Sequence, residues 1–147
     1  MEIKTVEDCF KARLLRKIAP NKEKSDKSFE LARRDLKEAM SSLGLGKDFL
    51  YKYVVLNSYM AMFHASRGVL YSDGIQEKSH YAIYVYLKEK YCRIVPNSVL
   101  QLFEIHRTER HEAIYGLDYE PDKEDAELAL KDAKIFVKEM EKLLEKK

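Results

Sequence analysis

Proline and glycine are scarce in this chain, three and five in 147 residues, and they fall mostly between long periodic segments. That excludes a low-complexity or collagen-like composition and leaves both residues as punctuation of regular structure. Cysteine is scarcer still. Cys9 and Cys92 lie far apart, with neither the spacing of a metal knuckle nor the density of a disulfide framework. Two isolated thiols suit a reducing cytoplasm. The longest stretch without formal charge, residues 53 to 66, is too short and too polar to cross a bilayer. The opening residues MEIKTVEDCF lack the apolar heart of a secretory signal. A cytoplasmic chain without membrane association is expected. Net charge is slight as well, at +2, so nucleic-acid affinity requires a local patch and not a global field. With 46% hydrophobic and 35% charged residues, and neither repeat nor linker, residues 1–147 read as one domain around one core.

Helical periodicity runs through nearly all of it. Residues 5–18 predict a short amphipathic helix that stops at Pro20. A second helix is expected over 26–42, with Phe29, Leu36, Met40 and Leu43 on one face and GLG closing it. A third, over 48–72, is apolar on almost every side, as a helix buried by several neighbours should be. Residues 79–91 contain HYAIYVYL, whose aromatic and β-branched alternation suits a strand. No other segment offers that strand a partner, and an isolated strand leaves its backbone groups unpaired. Helix is therefore the expectation there, with no sheet anywhere. Further helices are expected from Pro96 to Tyr115 and over 122–144, the last lined by Ala126, Ala129, Ala133, Phe136, Val137, Met140 and Leu144. The fold class is all-α: an up-and-down bundle of five to six helices, a four-helix core with short extra ones.

Several polar residues sit where a plain bundle would place aliphatic ones. On the third helix Asn57, His64 and Gly68 share a face, with Arg67 at its edge. Gly68 marks close packing, and His64 reads either as a satisfied core histidine or as part of a binding site. In the fifth helix the apolar stripe of Val99, Leu102 and Phe103 continues to Ala113 and Ile114 through His106 and Arg110. Arg107 and His111 form a second pair, about 100° round the helix. A solvated face would put these charges opposite the stripe. Arg110 at a seam needs an anion, either a carboxylate of the protein or a phosphate of a ligand. Spacing alone leaves both open.

Two stretches carry a family resemblance. The first is SYMAMFHASRGVLYSDG, residues 58–74; the second is RHEAIYG, 110–116, followed by EDAELALKDAKIFVKEMEKLL. Their order and separation resemble the HEPN domain family (higher eukaryotes and prokaryotes nucleotide-binding), in its small archaeal and bacterial branch, over roughly residues 26 to 144. The resemblance implies a helical bundle that forms a homodimer, binds nucleotide or RNA, and uses no cofactor or metal. It also implies a place in a toxin–antitoxin or RNA-processing pair, with a minimal nucleotidyltransferase as partner. Active members resembling this chain are metal-independent ribonucleases that carry arginine, four to six residues, then histidine. The arginine holds the scissile phosphate, and the histidine handles the proton of the attacking 2′-hydroxyl.

Arg110 occupies the arginine position here, but four intervening residues lead to Tyr115, not to histidine. A phenol of pKa near ~10 is a poor base at pH 7 beside an imidazole near ~6.5. The expectation is a nucleotide- or RNA-binding protein with weak or lost nuclease activity. An active endoribonuclease using Arg110 with Tyr115 or His111 is the first alternative, and a structural interaction bundle is the second. Arg110, Tyr115 and His111 are the candidate catalytic residues. Arg107, His106, Arg67, His64 and Asn57 are the candidate ligand-binding ones.

Overall fold

The computed structural model describes residues 2–146. In chain order it contains α1 (Val6–Lys11), β1 (Leu15–Lys17), α2 (Lys22–Gly44), a 3-10 turn (Asp48–Leu50) leading into α3 (Tyr51–Asp73), β2 (Ile75–Glu77), α4 (His80–Tyr91), α5 (Asn97–Tyr115) and α6 (Lys123–Glu145). The all-α bundle expected from periodicity is what the chain forms. Its helix starts follow side-chain chemistry. Thr5 and Asp8 close a capping box on α1, Asp122 and Asp125 close another on α6, and the Asn21 and Ser79 side chains accept from Lys24 and Ala82. Each cap satisfies amide groups that the helix itself leaves unpaired.

The expectation of no sheet is corrected in one place. The helix predicted over 5–18 ends at Lys11, and the chain reverses through Arg13, whose φ is +61. Leu15–Lys17 then pairs antiparallel with Ile75–Glu77, in the register Leu15↔Glu77, Arg16↔Gln76, Lys17↔Ile75. The partner lies 60 residues further along, so local pattern could not reveal it. The HYAIYVYL segment is helical, as expected, and buries Ala82, Ile83, Val85, Tyr86, Leu87 and Tyr91.

α3 is the centre of the bundle. α2, α5 and α6 all pack on it, which explains why it is apolar nearly all round. The face of α2 turned to α3 keeps Phe29, with Leu36 and Leu43 packed at its edge, but otherwise departs from the stripe read in the sequence. It buries Ser25, Ser28, Phe29, Ala32, Asp35 and Ala39, while Met40 is half exposed. The reason is the closeness of the two helices. Ser25 donates to the Gly68 carbonyl at 2.7 Å, and a Cβ at Gly68 would stand only 2.4 Å from the Phe29 ring. Small side chains at three-and-four spacing allow that approach, whereas Leu or Met there would hold the helices apart. On the other side of α3, an aromatic series runs from Tyr59 to Phe103 of α5 (centroids 5.4 Å apart) and on to Phe136 of α6 (5.9 Å). All three rings are fully buried. Such pairs contribute about 0.5–1.5 kcal/mol each beyond their burial. They fix Tyr59 rigidly beneath α5.

Candidate anion site between α3, α4 and α5

The chemistry gathers where α5 crosses α3 beside the first turn of α4. The Arg110 guanidinium lies over the Tyr59 ring, 5.8 Å from its centroid. Among the described residues no carboxylate comes within 4.0 Å of it. Its two basic neighbours differ in this respect. Arg107 pairs through Nε with Glu104 one turn back and covers the Tyr81 ring at 5.5 Å. Arg67 reaches from α3 to Glu77 of β2 at 2.8 Å, donates to the Tyr71 hydroxyl at 2.5 Å and rests against Phe63. The strand pair thus anchors one arginine of the site.

The residue that joins these groups is His80, which the sequence reading passed over. It opens α4, and its Nδ1 stands 2.7 Å from the Tyr59 hydroxyl oxygen. Its ring lies flat on Phe63, with centroids 4.3 Å apart and planes 9° from parallel. Burial pushes its pKa down, and the charges of Arg110, Arg107 and Arg67 push further, from 6.5 to about 4. His80 is therefore neutral near pH 7. Burial also raises the Tyr59 phenol, against the pull of Arg110 and Arg107, so it stays protonated.

The other candidate residues divide. His106 is buried on the stripe of α5, with Nε2 2.8 Å from Asp132 of α6 and Nδ1 3.4 Å from Glu109. Burial opposes its charge, but the hydrogen bonds to Glu109 and Asp132 and their charges outweigh that and raise its pKa above 6.5. His106 thus has internal anions of its own. His64 faces α2, its Nε2 3.7 Å from Asp35. Burial, Arg67 and Arg34 lower the His64 pKa, and burial, then Glu38, push Asp35 up to about 6. Asn57 is half-buried two turns before His64 and makes no side-chain hydrogen bond among the described residues. His111 and Tyr115 stand exposed at the end of α5, their ring centroids 4.9 Å apart and Tyr115 68% exposed. The charges of Arg110, Arg107 and Arg67 all act on His80, whereas His106, His111 and Tyr115 have other neighbours and His64, though also in the field of Arg67, faces Asp35. Among the described residues no group of three or more His, Cys, Asp or Glu side chains is placed to hold a metal ion. Nor is any helix there long and apolar enough to cross a membrane.

The profile of the HEPN domain family matches residues 25–143. The chain belongs to the HEPN domain family. The match begins within α2 and ends within α6, so it takes in every element that contributes to the arginine cluster and leaves α1 and β1 outside. No curated protein matches the chain in sequence. Membership in the HEPN family supports a nucleotide- or RNA-related role in general terms.

Proposed function

We propose that this HEPN protein binds the phosphates of RNA or a nucleotide at the Arg110 cluster, and that its nuclease activity is weak or lost. One observation carries the reading. Arg110 is a half-buried cation on the inward side of α5 with an aromatic ring beneath it and no carboxylate beside it among the described residues. A desolvated guanidinium without an anion is costly, and a phosphate satisfies it in the planar, forked geometry that arginine favours. Arg107 and Arg67 also act on His80 but are each paired with a glutamate, so Arg110 supplies the charge that has no carboxylate among the described residues. The weak-nuclease half of the reading rests on Tyr115, an exposed phenol at the end of α5 against the His111 ring. In this reading the protein works within a toxin–antitoxin or RNA-processing pair whose other member is a minimal nucleotidyltransferase.

The experiment is a titration of a labelled single-stranded RNA at two salt concentrations. Wild-type affinity should fall with salt, as phosphate contacts require, and Arg110→Ala should weaken it about 10- to 100-fold while flattening the salt slope by about one. Equal affinities for wild type and variant would leave the bundle as a structural module. Release of a cyclic-phosphate product by wild type, lost in Tyr115→Phe or His111→Ala, would instead establish the endoribonuclease.

A homodimer is part of the proposal. α5 leaves Ile105 exposed, and α6 leaves Leu128 and Ile135 exposed seven residues apart on one side. Aliphatic side chains on two adjacent helices supply the apolar centre that a two-fold interface needs. Light scattering at tens of micromolar should give twice the chain mass, and Leu128→Glu with Ile135→Glu should return it to the monomer mass. A wild-type monomer at that concentration would remove the dimer from the reading.

A further inference from the structure

The burial of the Tyr59–His80 pair favours one tautomer of His80, and the tautomer determines what the site can do. Tyr59 has no exposed surface, so bulk solvent does not reach its hydroxyl. Among the described residues its one hydrogen-bond partner is His80 Nδ1, at 2.7 Å. A buried phenol keeps its donor satisfied, and the only acceptor offered is the Nδ1 lone pair. Nδ1 is therefore the acceptor, and in a neutral imidazole the remaining proton must sit on Nε2. That nitrogen has no hydrogen bond to another described residue. The ring lies flat on Phe63 and close to parallel with Tyr59 (15°, centroids 5.7 Å apart), and a turn that exchanges the two nitrogens would break these stacks on the way.

We propose that His80, locked by Tyr59 with its proton on Nε2, completes the Arg110 anion site as a neutral hydrogen-bond donor to a phosphate oxygen. This rests on the reading that Arg110 binds phosphate, and it adds a second, uncharged contact from a different helix. The same lock has a chemical consequence. A histidine that accepts a 2′-hydroxyl proton needs a free lone pair, and the only lone pair of neutral His80 is already taken by Tyr59. The site thus holds a phosphodiester without supplying the base that would cleave it. The charges acting on the ring keep it so. Arg67 from α3 and Arg107 and Arg110 from α5 all disfavour a second proton, while Glu77 of β2 and Glu104 of α5 are occupied by Arg67 and Arg107. With its pKa pushed down to about 4, His80 is uncharged at neutral and mildly acidic pH.

The test combines nitrogen-15 NMR of the histidine rings with binding of a 2′-O-methyl oligouridylate, which carries constant charge and cannot be cleaved through its 2′-oxygen. In wild type, the His80 resonances should show Nε2 protonated and Nδ1 unprotonated, with no titration between about pH 8 and pH 5. His80→Phe keeps the stack on Phe63 but removes the donor, and should weaken binding about tenfold. Tyr59→Phe keeps the buried ring and frees Nδ1, so both tautomers should appear and affinity should fall several-fold. An Nδ1-protonated ring in wild type, a ring titrating near 6.5, or His80→Phe binding as well as wild type would each overturn the assignment. Arg110→Ala separates the two levels. If it abolishes binding while His80→Phe does not, the phosphate site stands and His80 is not part of it. If Arg110→Ala also leaves binding intact, the site itself is refuted.

Discussion

His106→Ala is expected to lower the stability of the fold by about 3 kcal/mol near pH 6, whereas Arg110→Ala, one helix turn away, should change it by less than about 1 kcal/mol. The two side chains share a stripe of α5 but have different partners. His106 is 4% exposed and bridges Glu109 on its own helix to Asp132 on α6. Removing it leaves a void in the α5–α6 seam and two carboxylates without their cation, which adds a cavity penalty to an electrostatic one. Arg110 has no such carboxylate among the described residues, so its removal relieves a charge and forfeits one ring contact. The pH dependence of the His106 effect has a definite sign. The folded pKa is raised above 6.5, so the stabilisation is complete below pH 6.5 and fades as pH rises through the folded value. Denaturant unfolding of wild type and His106→Ala at several pH values should therefore converge towards alkaline pH, leaving only the packing loss. A gap that widens with rising pH would mean that His106 is neutral in the seam.

The contrast between these residues marks what can be read from a single chain. Helical periodicity alone placed His106 and Arg110 on the inward stripe of α5, because that stripe is a property of local spacing. Which anion each meets is a tertiary matter. Asp132 lies 26 residues beyond His106, and nothing in the sequence pattern links those positions. His80 is the sharper case. It follows Ser79, a helix cap, and opens a segment whose alternation drew attention to strand propensity and away from its one imidazole. It meets Tyr59 from 21 residues away, and Arg110 acts on it from another helix. The available signal was modest: a histidine in the first turn of a helix, after a start residue, in a chain with only four histidines.

The same distinction holds for the fold. Long periodic helices were legible to within a few residues, since each buries one coherent face. The strand pair was not, because each strand has three residues and the pairing depends on a reversal at Arg13 with φ +61, a conformation no local propensity requests. The buried face of α2 was read only in part: Phe29 is buried and Leu36 and Leu43 pack against the core, but Met40 does not. Met40 attracted the stripe by hydrophobicity, but the tight approach at Gly68 rewards Ser25, Ser28, Ala32 and Ala39 for being small. The family resemblance, by contrast, spans whole motifs in order and separation, and the matched residues 25–143 cover the same helices.

Asp35→Asn should stabilise the protein by about 2–3 kcal/mol near pH 8, a gain that shrinks as pH falls through about 6 and nearly vanishes near pH 4. Asp35 is 8% exposed on the face of α2 that packs on α3, where Ser and Ala otherwise permit the close approach. Burial, then Glu38, push its pKa from 3.8 to about 6, with Arg34 opposing. An acid that binds its proton more tightly when folded contributes most below its unfolded pKa of 3.8, and that contribution is lost as pH rises through about 6. At neutral pH the fold therefore holds a carboxylate where it would be more stable with a neutral group. His64, 3.7 Å away, offers little relief, since burial, then Arg67 and Arg34, lower its own pKa and disfavour its charge. Asparagine keeps the shape and one acceptor and removes the charge. Thermal melts of both proteins across this pH range decide the point. A loss of stability in the variant at pH 8 would mean that Asp35 and His64 form a true ion pair, with the imidazole protonated against the field of the two arginines.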